Sequence, residues 1–487
     1  MKLLAIDIGA SGGKAILGEF DGGHLKLKEI RRFTNGFVEV SGHKHWDILR
    51  LFYEVKSCLR AAPDADCVGI DTWGVDYGYV DRDGDLLGLP FAYRDARTDK
   101  SVSAVHAVIP FERLYELNGI QHLPFNTIYQ FADDLISRPW LVENADKALM
   151  IPELLGFILT GERFGEYTNA STTGLLDVRT RIWSDEILEK IGFPVERLPK
   201  IIQPGELRVP LTAQISHETG SRAAFCYVAC HDTASAVAGI PADPTVPATW
   251  AFISSGTWSL VGMELDEPIV SDSAREANFT NEGGVDGKIR FLTNVTGLWI
   301  LEELRRTWSR QNENVDFGTI ITEAQKAPPF RSLIDPDHPS FACPNDMRIA
   351  IREFCRSTGQ TIPDGVGPFS RCVFESLALA YRRKIELLLS ITGREIDRIH
   401  IIGGGSRNQL LCQMTADACG LPVIAGPVEA TAVGNILVQA ISNGLVTNLA
   451  EGRNLIKPSC DLQTYVPADH NLWESALQKW TRAVAGN

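Results

Sequence analysis

The sequence predicts an α/β protein made of two duplicated halves with a ligand-binding cleft between them. The chain has 487 residues, more than one hydrophobic core usually spans. A layout of apolar strand, glycine-containing turn and second apolar strand occurs twice, and the equivalent glycines, Gly9 and Gly256, are 247 residues apart. Between the two copies, apolar residues recur at both strand and helix spacing. A period this long indicates a duplicated domain rather than a solenoid.

The first element is the opening segment KLLAIDIGASGGKAILGEF. A Walker A loop has four residues between its glycines and a Ser or Thr after its lysine. Here three residues separate Gly9 from Gly13, and Ala15 follows Lys14. The run after the turn is short and apolar like the run before it, so no phosphate-binding helix is expected. The segment therefore predicts a β-hairpin with Asp7 just before its turn.

This hairpin has the composition of a phosphate-binding turn. Glycines let backbone amides approach an anion, and Ser11 and Lys14 add donors and charge. Asp7 is a candidate ligand for Mg²⁺, through water. The alternative is an ordinary turn with a structural aspartate. The second copy, which carries Thr257 but no acid equivalent to Asp7, favours phosphate binding and predicts one metal-directing carboxylate.

Further along the first half, HWDILRLFYEVKSCLRAA has helical spacing, CVGIDTWGVDYGYV is strand-like, and FCYVACHDTASAVAGI indicates strand, turn and helix. Asp232 falls at the start of that helix. An aspartate there is either an N-cap or, where a hydroxyl is the nucleophile, a general base. The sequence leaves both interpretations open.

Two neighbouring segments, IDTWGVDYG and AYRDART, combine flat aromatic faces, a glycine and hydrogen-bonding groups. That mixture suits a sugar, although core aromatics and surface ion pairs would also account for it. The residues concerned are Trp73, Gly74, Asp76, Tyr77, Arg94 and Asp95. In the second half, Asn294 could donate a hydrogen bond to a polyol.

The second half also contains a long helical pattern at 367–391 and a glycine triplet in HIIGGGSRNQLL. Three glycines between a strand and a helix allow a flat ring to lie against the backbone, and a tight turn is the alternative. The Pro-rich stretch at 239–250 predicts a connection between domains at 1–243 and 244–487.

Composition excludes several classes of protein. A net charge of −14 disfavours a general binder of nucleic acid or of anionic membranes. No apolar run approaches the roughly 18–20 residues of a membrane span, and Asp7 interrupts the first apolar run, so a cytoplasmic protein is expected. The ten cysteines lack metal-binding spacing, and Cys355 and Cys372 are near enough in sequence to pair.

In this order, the segments resemble the FGGY carbohydrate kinases, which share the ribonuclease H-like fold of actin, hexokinase and the Hsp70 ATPase. The resemblance covers nearly the whole chain, from AIDIGASGGK through IDTWGVDYG, EYTNAST, HDTASAV, SSGTWSL and TNEGG to GGGSRNQLL. It implies an N-terminal domain with the sugar site, the first phosphate hairpin and the catalytic aspartate. It implies a C-terminal domain with the second phosphate hairpin and the nucleoside site.

The resemblance also implies a role for each matching residue. Asp232 would accept the proton of the sugar hydroxyl, and Asp7 would direct Mg²⁺. The implied substrate contacts are Gly74, His231, Asp232, Thr233 and Asn294. The implied ATP contacts are Ala10, Ser11, Gly12, Gly13, Lys14, Thr257, Glu302 and Gly404.

The chain departs from the family pattern at three of these positions. Relatives commonly have G-A-S-S-G-R in the first turn, where this chain has Gly12 for the second Ser and Lys14 for Arg. One hydroxyl is lost, and a planar fork of donors becomes a point charge. Glu302 stands where a Gln is common near ATP.

The expected activity is that of an ATP-dependent ketose kinase that uses Mg²⁺. The segments GIQHLPFNT, HDTASAV and SSGTWSL together resemble members that phosphorylate L-rhamnulose at O1 in L-rhamnose breakdown. L-Fuculose and L-xylulose are alternative substrates, and a nucleotide-switched binding protein of the same superfamily is an alternative of a different class. The expected partners are the ketose and MgATP, without nucleic acid or membrane, in a monomer or small homo-oligomer.

Overall fold

The computed structural model of the chain describes residues 1–21, 24–242, 249–310, 315–342 and 344–485. Two compact units are distinguished. The first comprises Met1–Val246, Glu264–Phe291 and Ala430–Cys460, and the second comprises Pro247–Met263, Leu292–Glu429 and Asp461–Asn487. The predicted boundary between residues 243 and 244 lies outside the described residues, as do residues 243–248 of the Pro-rich stretch.

The strands are, in chain order, Lys2–Gly9 (β1), Gly12–Asp21 (β2), His24–Thr34 (β3), Phe37–Val40 (β4), His43–Trp46 (β5), Cys67–Thr72 (β6), Tyr77–Val80 (β7), Lys147–Met150 (β8), Phe164–Glu166 (β9), Lys200–Ile202 (β10), Arg208–Pro210 (β11), Ala224–Cys226 (β12), Trp250–Ser255 (β13), Trp258–Leu265 (β14), Thr280–Gly283 (β15), Ile289–Thr296 (β16), Arg398–Ile402 (β17), Val423–Ala425 (β18) and Gln463–Tyr465 (β19).

The α-helices are Ile48–Ala61 (α1), Ser101–Val108 (α2), Phe111–Asn118 (α3), Thr127–Ser137 (α4), Pro139–Asn144 (α5), Ile151–Thr160 (α6), Tyr167–Ala170 (α7), Asp185–Ile191 (α8), Ala213–Thr219 (α9), Asp232–Ala238 (α10), Asp272–Glu276 (α11), Trp299–Arg310 (α12), Phe317–Lys326 (α13), Met347–Ser357 (α14), Val366–Thr392 (α15), Gln409–Cys419 (α16), Ala430–Ser442 (α17), Leu449–Ile456 (α18) and His470–Ala485 (α19).

The first unit is built on a six-stranded sheet with the order β11-β12-β6-β1-β2-β3. Strand β6 runs parallel to both β1 and β12, whereas β1, β2 and β3 form an antiparallel meander. The central strands β1 and β6 are mostly aliphatic and buried, as expected for strands covered on both faces. The carboxyl ends of β1, β6 and β12 therefore meet at one edge of the sheet.

The second unit is built on strands in the order β16-β14-β13-β17-β18-β19. Strand β17 is parallel to β13 and β18, β14 is antiparallel to β13, and β19 is antiparallel to β18. The 27-residue helix α15 packs against α13 and α16 over a core of aliphatic and aromatic side chains. The helical pattern predicted at 367–391 is confirmed by this helix.

The repeated layout is confirmed as well. In each unit an antiparallel hairpin, β1-β2 or β13-β14, is followed later in the chain by a strand parallel to its first arm, β6 or β17. A strand, not a helix, follows the turn after Gly9, so the opening segment is a hairpin and not a P-loop.

Two further sequence expectations concern membranes and cysteines. Of the helices in the described ranges, none combines the length and apolar character that a membrane span requires. Cys355 and Cys372 lie in the core of the second unit, and both are free thiols.

Candidate active site

Three acidic residues meet at the carboxyl edge of the first unit's sheet. Asp7 on β1 is in register with Asp71 on β6. The next residue of β6, Thr72, forms a parallel bridge with His231, which precedes Asp232. The structure thus brings Asp7, His231 and Asp232 together, and it adds Asp71, which the sequence analysis did not select.

Asp71 is fully buried, and its two carboxylate oxygens differ in their surroundings. Its Oδ2 accepts a hydrogen bond of 2.5 Å from Nδ2 of Asn435, whereas its Oδ1 has no hydrogen-bond partner among the described residues. Burial raises the pKa of Asp71 well above its usual range, and the negative charges of Asp7 and Asp232 raise it further. The site therefore concentrates negative charge. The signal in the sequence was the acid that ends the apolar run CVGID.

Lys14 lies opposite Asp7 on the neighbouring strand, with its Nζ 3.2 Å from Oδ2 of Asp7. This cation balances part of the negative charge of the site. Carboxylate oxygens are the hard donors that Mg²⁺ prefers, and the unpartnered Oδ1 of Asp71 fits a site that binds a cation. Asp7 and Asp71 are therefore the residues that could hold the metal.

Asp232 begins helix α10, and its side chain is 31% exposed. Two neighbours approach the same carboxylate oxygen: Oγ1 of Thr233 donates to Oδ1 at 3.0 Å, and Nε2 of His231 lies 3.4 Å from it. These contacts leave Oδ2 accessible to a ligand. A partly exposed carboxylate with one oxygen oriented by the protein is suited to accept a proton from a hydroxyl group.

The backbone before Asp232 is held by two buried glutamates. Glu166 accepts hydrogen bonds from the Cys230 amide at 2.9 Å and from Oγ1 of Thr168 at 2.6 Å, and Thr168 Oγ1 in turn accepts one from the His231 amide at 3.2 Å. Glu153 accepts a hydrogen bond of 3.0 Å from the Glu166 amide. Burial raises the pKa of Glu166 to about 7 and that of Glu153 to about 8.

Glu153, Glu166 and the thiol of Cys230 also have potential ligand atoms within 4.8 Å of one another. A metal here would compete with the backbone amides that donate to both carboxylates, and it would require two buried carboxyl groups to lose their protons. We therefore interpret the cluster as a buried carboxyl pair that supports the loop before Asp232.

Helix α10 is fixed from its other side by helix α17. The contact is backbone to backbone because glycines lie at the crossing: a Cβ on Gly434 would lie 1.7 Å from the carbonyl oxygen of Ser235, and a Cβ on Gly239 would lie 2.2 Å from that of Ala430. Side chains at these positions would push the helices apart. The position of Asp232 thus depends on a segment some 200 residues away in the sequence.

The aromatic segment after β6 belongs mainly to the core. Asp76 is fully buried and accepts hydrogen bonds at 2.7, 2.9 and 3.0 Å from the indole nitrogens of Trp46 and Trp73 and from Nε2 of Gln130. Burial raises the pKa of Asp76 to about 6 despite these bonds. The sequence left open whether Trp73 and Asp76 contact a sugar or belong to the core, and these hydrogen bonds place both residues in the core.

The other residues selected from the segments IDTWGVDYG and AYRDART lie partly in the core and partly at the surface. Tyr77 is buried, Arg94 is exposed, and Asp95 caps the turn that begins at Ala96. Gly74 packs against Thr172, whose Oγ1 would lie 2.8 Å from an added Cβ, so only glycine fits there.

The first hairpin turn is held rigidly while its tip stays accessible. The side-chain amide of Asn35 donates to the Gly9 carbonyl at 2.9 Å, and the Asn35 backbone amide donates to the Ser11 carbonyl at 3.2 Å. A Cβ on Gly13 would lie 2.3 Å from the ring of Phe33. Ser11 is exposed, and Ala10, Gly12 and Lys14 are partly exposed.

The second hairpin turn presents Thr257 to solvent. Its base is tight: the Gly256 amide donates to the Trp258 carbonyl at 2.9 Å, and the Leu298 amide donates to the Gly256 carbonyl at 3.0 Å. In the glycine triplet, Gly404 is exposed with open space above it, whereas Gly405 packs against Ser255. A flat group could lie against Gly404.

Asn294 and Glu302 also belong to the second unit. The Oδ1 of Asn294 is buried and has no hydrogen-bond partner among the described residues, as expected for an atom that contacts a ligand. The carboxylate of Glu302 accepts hydrogen bonds of 3.2 and 3.0 Å from Nε and Nη2 of Arg305. This ion pair offsets the negative charge of Glu302.

Comparison with known proteins identifies relatives along nearly the whole chain. Sequence models of the N-terminal and C-terminal domains of the FGGY family of carbohydrate kinases match residues 2–239 and 251–443. The rhamnulokinase of Bacteroides thetaiotaomicron is 44% identical over 488 residues, which cover 99% of either chain. The rhamnulokinase of Bacillus subtilis is 40% identical over 474 residues, which cover 96% of either chain.

Solved structures show the same fold at low sequence identity. Gluconate kinase from Lactobacillus acidophilus superposes with a TM-score of 0.81 at 18% identity, over 100% of this chain and 98% of that one. Plasmodium falciparum glycerol kinase with ADP superposes with a TM-score of 0.79 at 16% identity, over 99% of this chain and 97% of that one.

Proposed function

Since the chain belongs to the FGGY family of carbohydrate kinases, we propose that it transfers the γ-phosphoryl group of ATP to O1 of L-rhamnulose in L-rhamnose breakdown. The products are L-rhamnulose 1-phosphate and ADP. The observation that carries the mechanism is the Asp232 carboxylate, with Oδ1 engaged by His231 and Thr233 and Oδ2 accessible. The relatives of about 40% identity named rhamnulokinase support the choice of sugar.

In the proposed reaction, Oδ2 of Asp232 accepts the proton of the 1-hydroxyl group. The sugar oxygen forms a bond to the γ-phosphorus in line with the breaking bond to the bridging oxygen of ADP. Transfer of this proton to Asp232 prevents positive charge from building up on the attacking oxygen as its bond to phosphorus forms. Oδ1 stays engaged throughout, which keeps the carboxylate in one orientation.

The sugar is proposed to contact Gly74, His231, Thr233 and Asn294. A polyol hydroxyl would satisfy the buried Oδ1 of Asn294. The sugar would meet the backbone of Gly74, whose Cβ position is filled by Thr172. Sugar identity then depends on how these groups fit the hydroxyl pattern of each ketose.

ATP is proposed to bind to both hairpin turns and the glycine triplet. Backbone amides at Ala10–Gly13, with Ser11 and Lys14, would contact the phosphates, and Thr257 would add a hydroxyl donor. Gly404 would lie against the nucleoside, near Glu302 and its partner Arg305.

Mg²⁺, held by Asp7 and Asp71 directly or through water, would neutralise charge on the ATP phosphates. The support from the structure is the pair of in-register carboxylates and the unpartnered Oδ1 of Asp71. Lys14 would exchange part of its contact with Asp7 for the phosphates.

We further propose a cytoplasmic monomer or small homo-oligomer whose halves, 1–243 and 244–487, carry the roles given above. Intracellular ATP as a substrate supports this location, and the net charge of −14 argues against nucleic acid as a partner.

The test is a coupled ADP-release assay with L-rhamnulose, L-fuculose and L-xylulose. We expect the highest kcat/KM for L-rhamnulose. Preference for another ketose would overturn the choice of sugar and leave the kinase activity intact. ATP turnover that responds to peptides but to no sugar would instead support a nucleotide-switched binding protein.

Asp232→Asn tests the catalytic base. Because the amide cannot accept the proton, we expect kcat to fall by about 10²–10⁴-fold. The affinity for ATP, measured by calorimetry, and the unfolding temperature should stay close to those of the wild type. Near-normal turnover by a folded variant would remove Asp232 from this role.

A further inference from the structure

The TNEGG segment contributes a buried glutamate whose partner is an arginine on the next strand. Glu282 lies on β15, and Arg290, on β16, has no solvent exposure. Nη1 of Arg290 lies 3.0 Å from Oε2 of Glu282, and Nε of Arg290 donates to the Gly283 carbonyl at 2.8 Å. Neither residue was assigned a role from the sequence.

This ion pair lies against His231. Nη2 of Arg290 is 3.0 Å from Nδ1 of His231, and Oε2 of Glu282 is 3.3 Å from the same nitrogen. The other ring nitrogen, Nε2, is 3.4 Å from Oδ1 of Asp232. The imidazole thus connects the ion pair to the proposed base.

Burial and the neighbouring charges together shift the pKa values of Glu282 and Arg290. Burial opposes ionisation of Glu282, yet the positive charge of Arg290 holds the pKa of Glu282 below its usual range. Burial lowers the pKa of Arg290, against the opposing effect of Glu282 and Asp232. Removing one partner would therefore leave the other as an uncompensated charge in the interior.

The identities of the donors determine where the proton of a neutral imidazole lies. A guanidinium group has five N–H donors and no acceptor. When Nη2 of Arg290 donates to Nδ1, that nitrogen must present its lone pair, so the proton is on Nε2. The Nε2–H group then faces the Asp232 carboxylate. In the opposite tautomer, Nδ1–H would face Oε2 of Glu282 and a lone pair would face Asp232, and Nδ1 could no longer accept the shorter contact from Arg290.

We propose that Arg290 and Glu282 are positioning residues that hold His231 in the Nε2–H tautomer, so that His231 orients Asp232 for proton transfer. Arg290 selects the tautomer by donating to Nδ1. Glu282 balances the buried guanidinium charge. The inference rests on the proposed role of Asp232 as the base.

The experiment that tests this inference reads the tautomer directly. Two-bond ¹⁵N–¹H correlation spectra of the histidine-labelled, ligand-free protein distinguish the two tautomers, and His231 is assigned as the signal lost in His231→Asn. We expect Nε2–H in the wild type. In Arg290→Met, the uncompensated Glu282 should draw the proton to Nδ1. A wild-type Nδ1–H tautomer, or no change in folded Arg290→Met, would overturn the proposal.

Kinetics give a second readout. We expect kcat of Arg290→Met to fall by about 10–100-fold, as for loss of part of general-base catalysis, with the KM for ATP within about threefold of wild type. Arg290→Lys, which can still donate to Nδ1, should recover part of kcat. Equal losses in Arg290→Lys and Arg290→Met, with the tautomer unchanged in both, would also contradict the proposal.

Arg453 provides the matched control. It is another buried arginine of the first unit, 2.8 Å from Oε2 of Glu264 and bonded to the carbonyl of Val237 at the end of α10. Arg453→Met should destabilise the protein without changing the His231 tautomer. If Arg290→Met does not fold, the tautomer is measured in the wild type and in Glu282→Gln. Because Glu282→Gln keeps Arg290, we expect the Nε2–H tautomer in both proteins.

The tautomer measurement needs neither sugar nor ATP. Failure of every ketose in the activity assay would therefore contradict the proposed function while the NMR result remained a separate measurement. An Nδ1–H tautomer in an active L-rhamnulose kinase would contradict only this inference.

Discussion

At the scale of single residues, the carboxyl group of Asp71 combines complete burial with the negative charges of Asp7 and Asp232 nearby. Such an arrangement costs stability in the free protein, because like charges repel more strongly when water is excluded. A cation at the unpartnered Oδ1 would relieve that repulsion. Metal binding at Asp71 would therefore affect the stability of the site.

Asp71→Asn removes an ionisable carboxyl group and preserves the shape of the side chain. We expect the free energy of unfolding, measured with urea, to stay the same or rise by about 1 kcal/mol, since the amide avoids burial of a charge. The Mg²⁺ concentration for half-maximal activity should rise by about tenfold, one ligand oxygen being lost. Asp83→Asn, at an exposed position, should change neither quantity. An unaltered Mg²⁺ requirement in Asp71→Asn would contradict a metal at this carboxylate.

Lys14 and Glu302 show how departures from the family pattern are accommodated. The Lys14 ammonium reaches Asp7 on the adjacent strand, so the cation that replaces Arg is already directed toward the site. Glu302 is paired with Arg305, one turn further along α12. Glu302 changes the local charge whereas Lys14 keeps it, and each has a partner in contact with it.

At the scale of secondary-structure elements, the loop that leads into α10 depends on the buried carboxyl pair Glu153 and Glu166. Their raised pKa values, about 8 and about 7, mean that the folded protein holds protons that the unfolded chain releases near 4.5. The stabilising contribution is therefore fully present below that pH and is lost as the pH rises to about 8.

The pH dependence of stability tests this pair. We expect the free energy of unfolding to fall between about pH 5 and pH 8, with a slope of up to about 1.4 kcal/mol per pH unit for each retained proton. Glu153→Gln, which resembles the protonated carboxyl group, should flatten the curve. Identical slopes in wild type and Glu153→Gln would show that Glu153 does not titrate in this range.

The crossing of α10 and α17 makes a second prediction at this scale. Gly434→Ala places a methyl group 1.7 Å from a backbone carbonyl, so the helices must separate. We expect a loss of at least about 3 kcal/mol in the free energy of unfolding and a lower kcat, since Asp232 moves with α10. Gly36→Ala, where an added Cβ meets nothing within 4 Å, serves as the control. Wild-type stability of Gly434→Ala would contradict the close crossing.

At the scale of the whole molecule, each unit is assembled from segments far apart in the sequence. The first unit gains Glu264–Phe291 and Ala430–Cys460, which supply Glu282, Arg290 and Asn435 to the site. The side chain of Gln439 even donates to the carbonyl of Leu4, at the opposite end of the chain. The carboxylate cluster of the first unit therefore forms only when these distant segments have folded together.

Ligand binding should consequently stabilise the whole protein. At a concentration 100 times the Kd, a ligand adds about 2.7 kcal/mol to the free energy of unfolding. We expect both MgATP and L-rhamnulose to raise the unfolding temperature in differential scanning fluorimetry. Excess EDTA should greatly reduce the shift caused by ATP and leave that caused by the sugar. An ATP shift that EDTA does not alter would contradict metal-assisted binding at Asp7 and Asp71.

Local patterns in the sequence determined a large part of this description. Runs of apolar residues and glycines act over a few residues. They predict the two hairpins, the long helix at Val366–Thr392 and the strand-turn-helix segment that contains Asp232. Asp7 and Asp232 could be selected because each stands beside such a run. The repeat and the collinear motifs supplied the family.

Only the tertiary structure decided which residues surround those candidates. Trp73 and Asp76 could have been sugar contacts or core, and the bonds of Asp76 to Trp46 and Trp73 place them in the core. The roles proposed for Asp71, Glu282 and Arg290 depend on neighbours that lie on other strands. Propensity and periodicity are local properties, whereas burial, ion pairing and the proton position on His231 depend on contacts between distant segments.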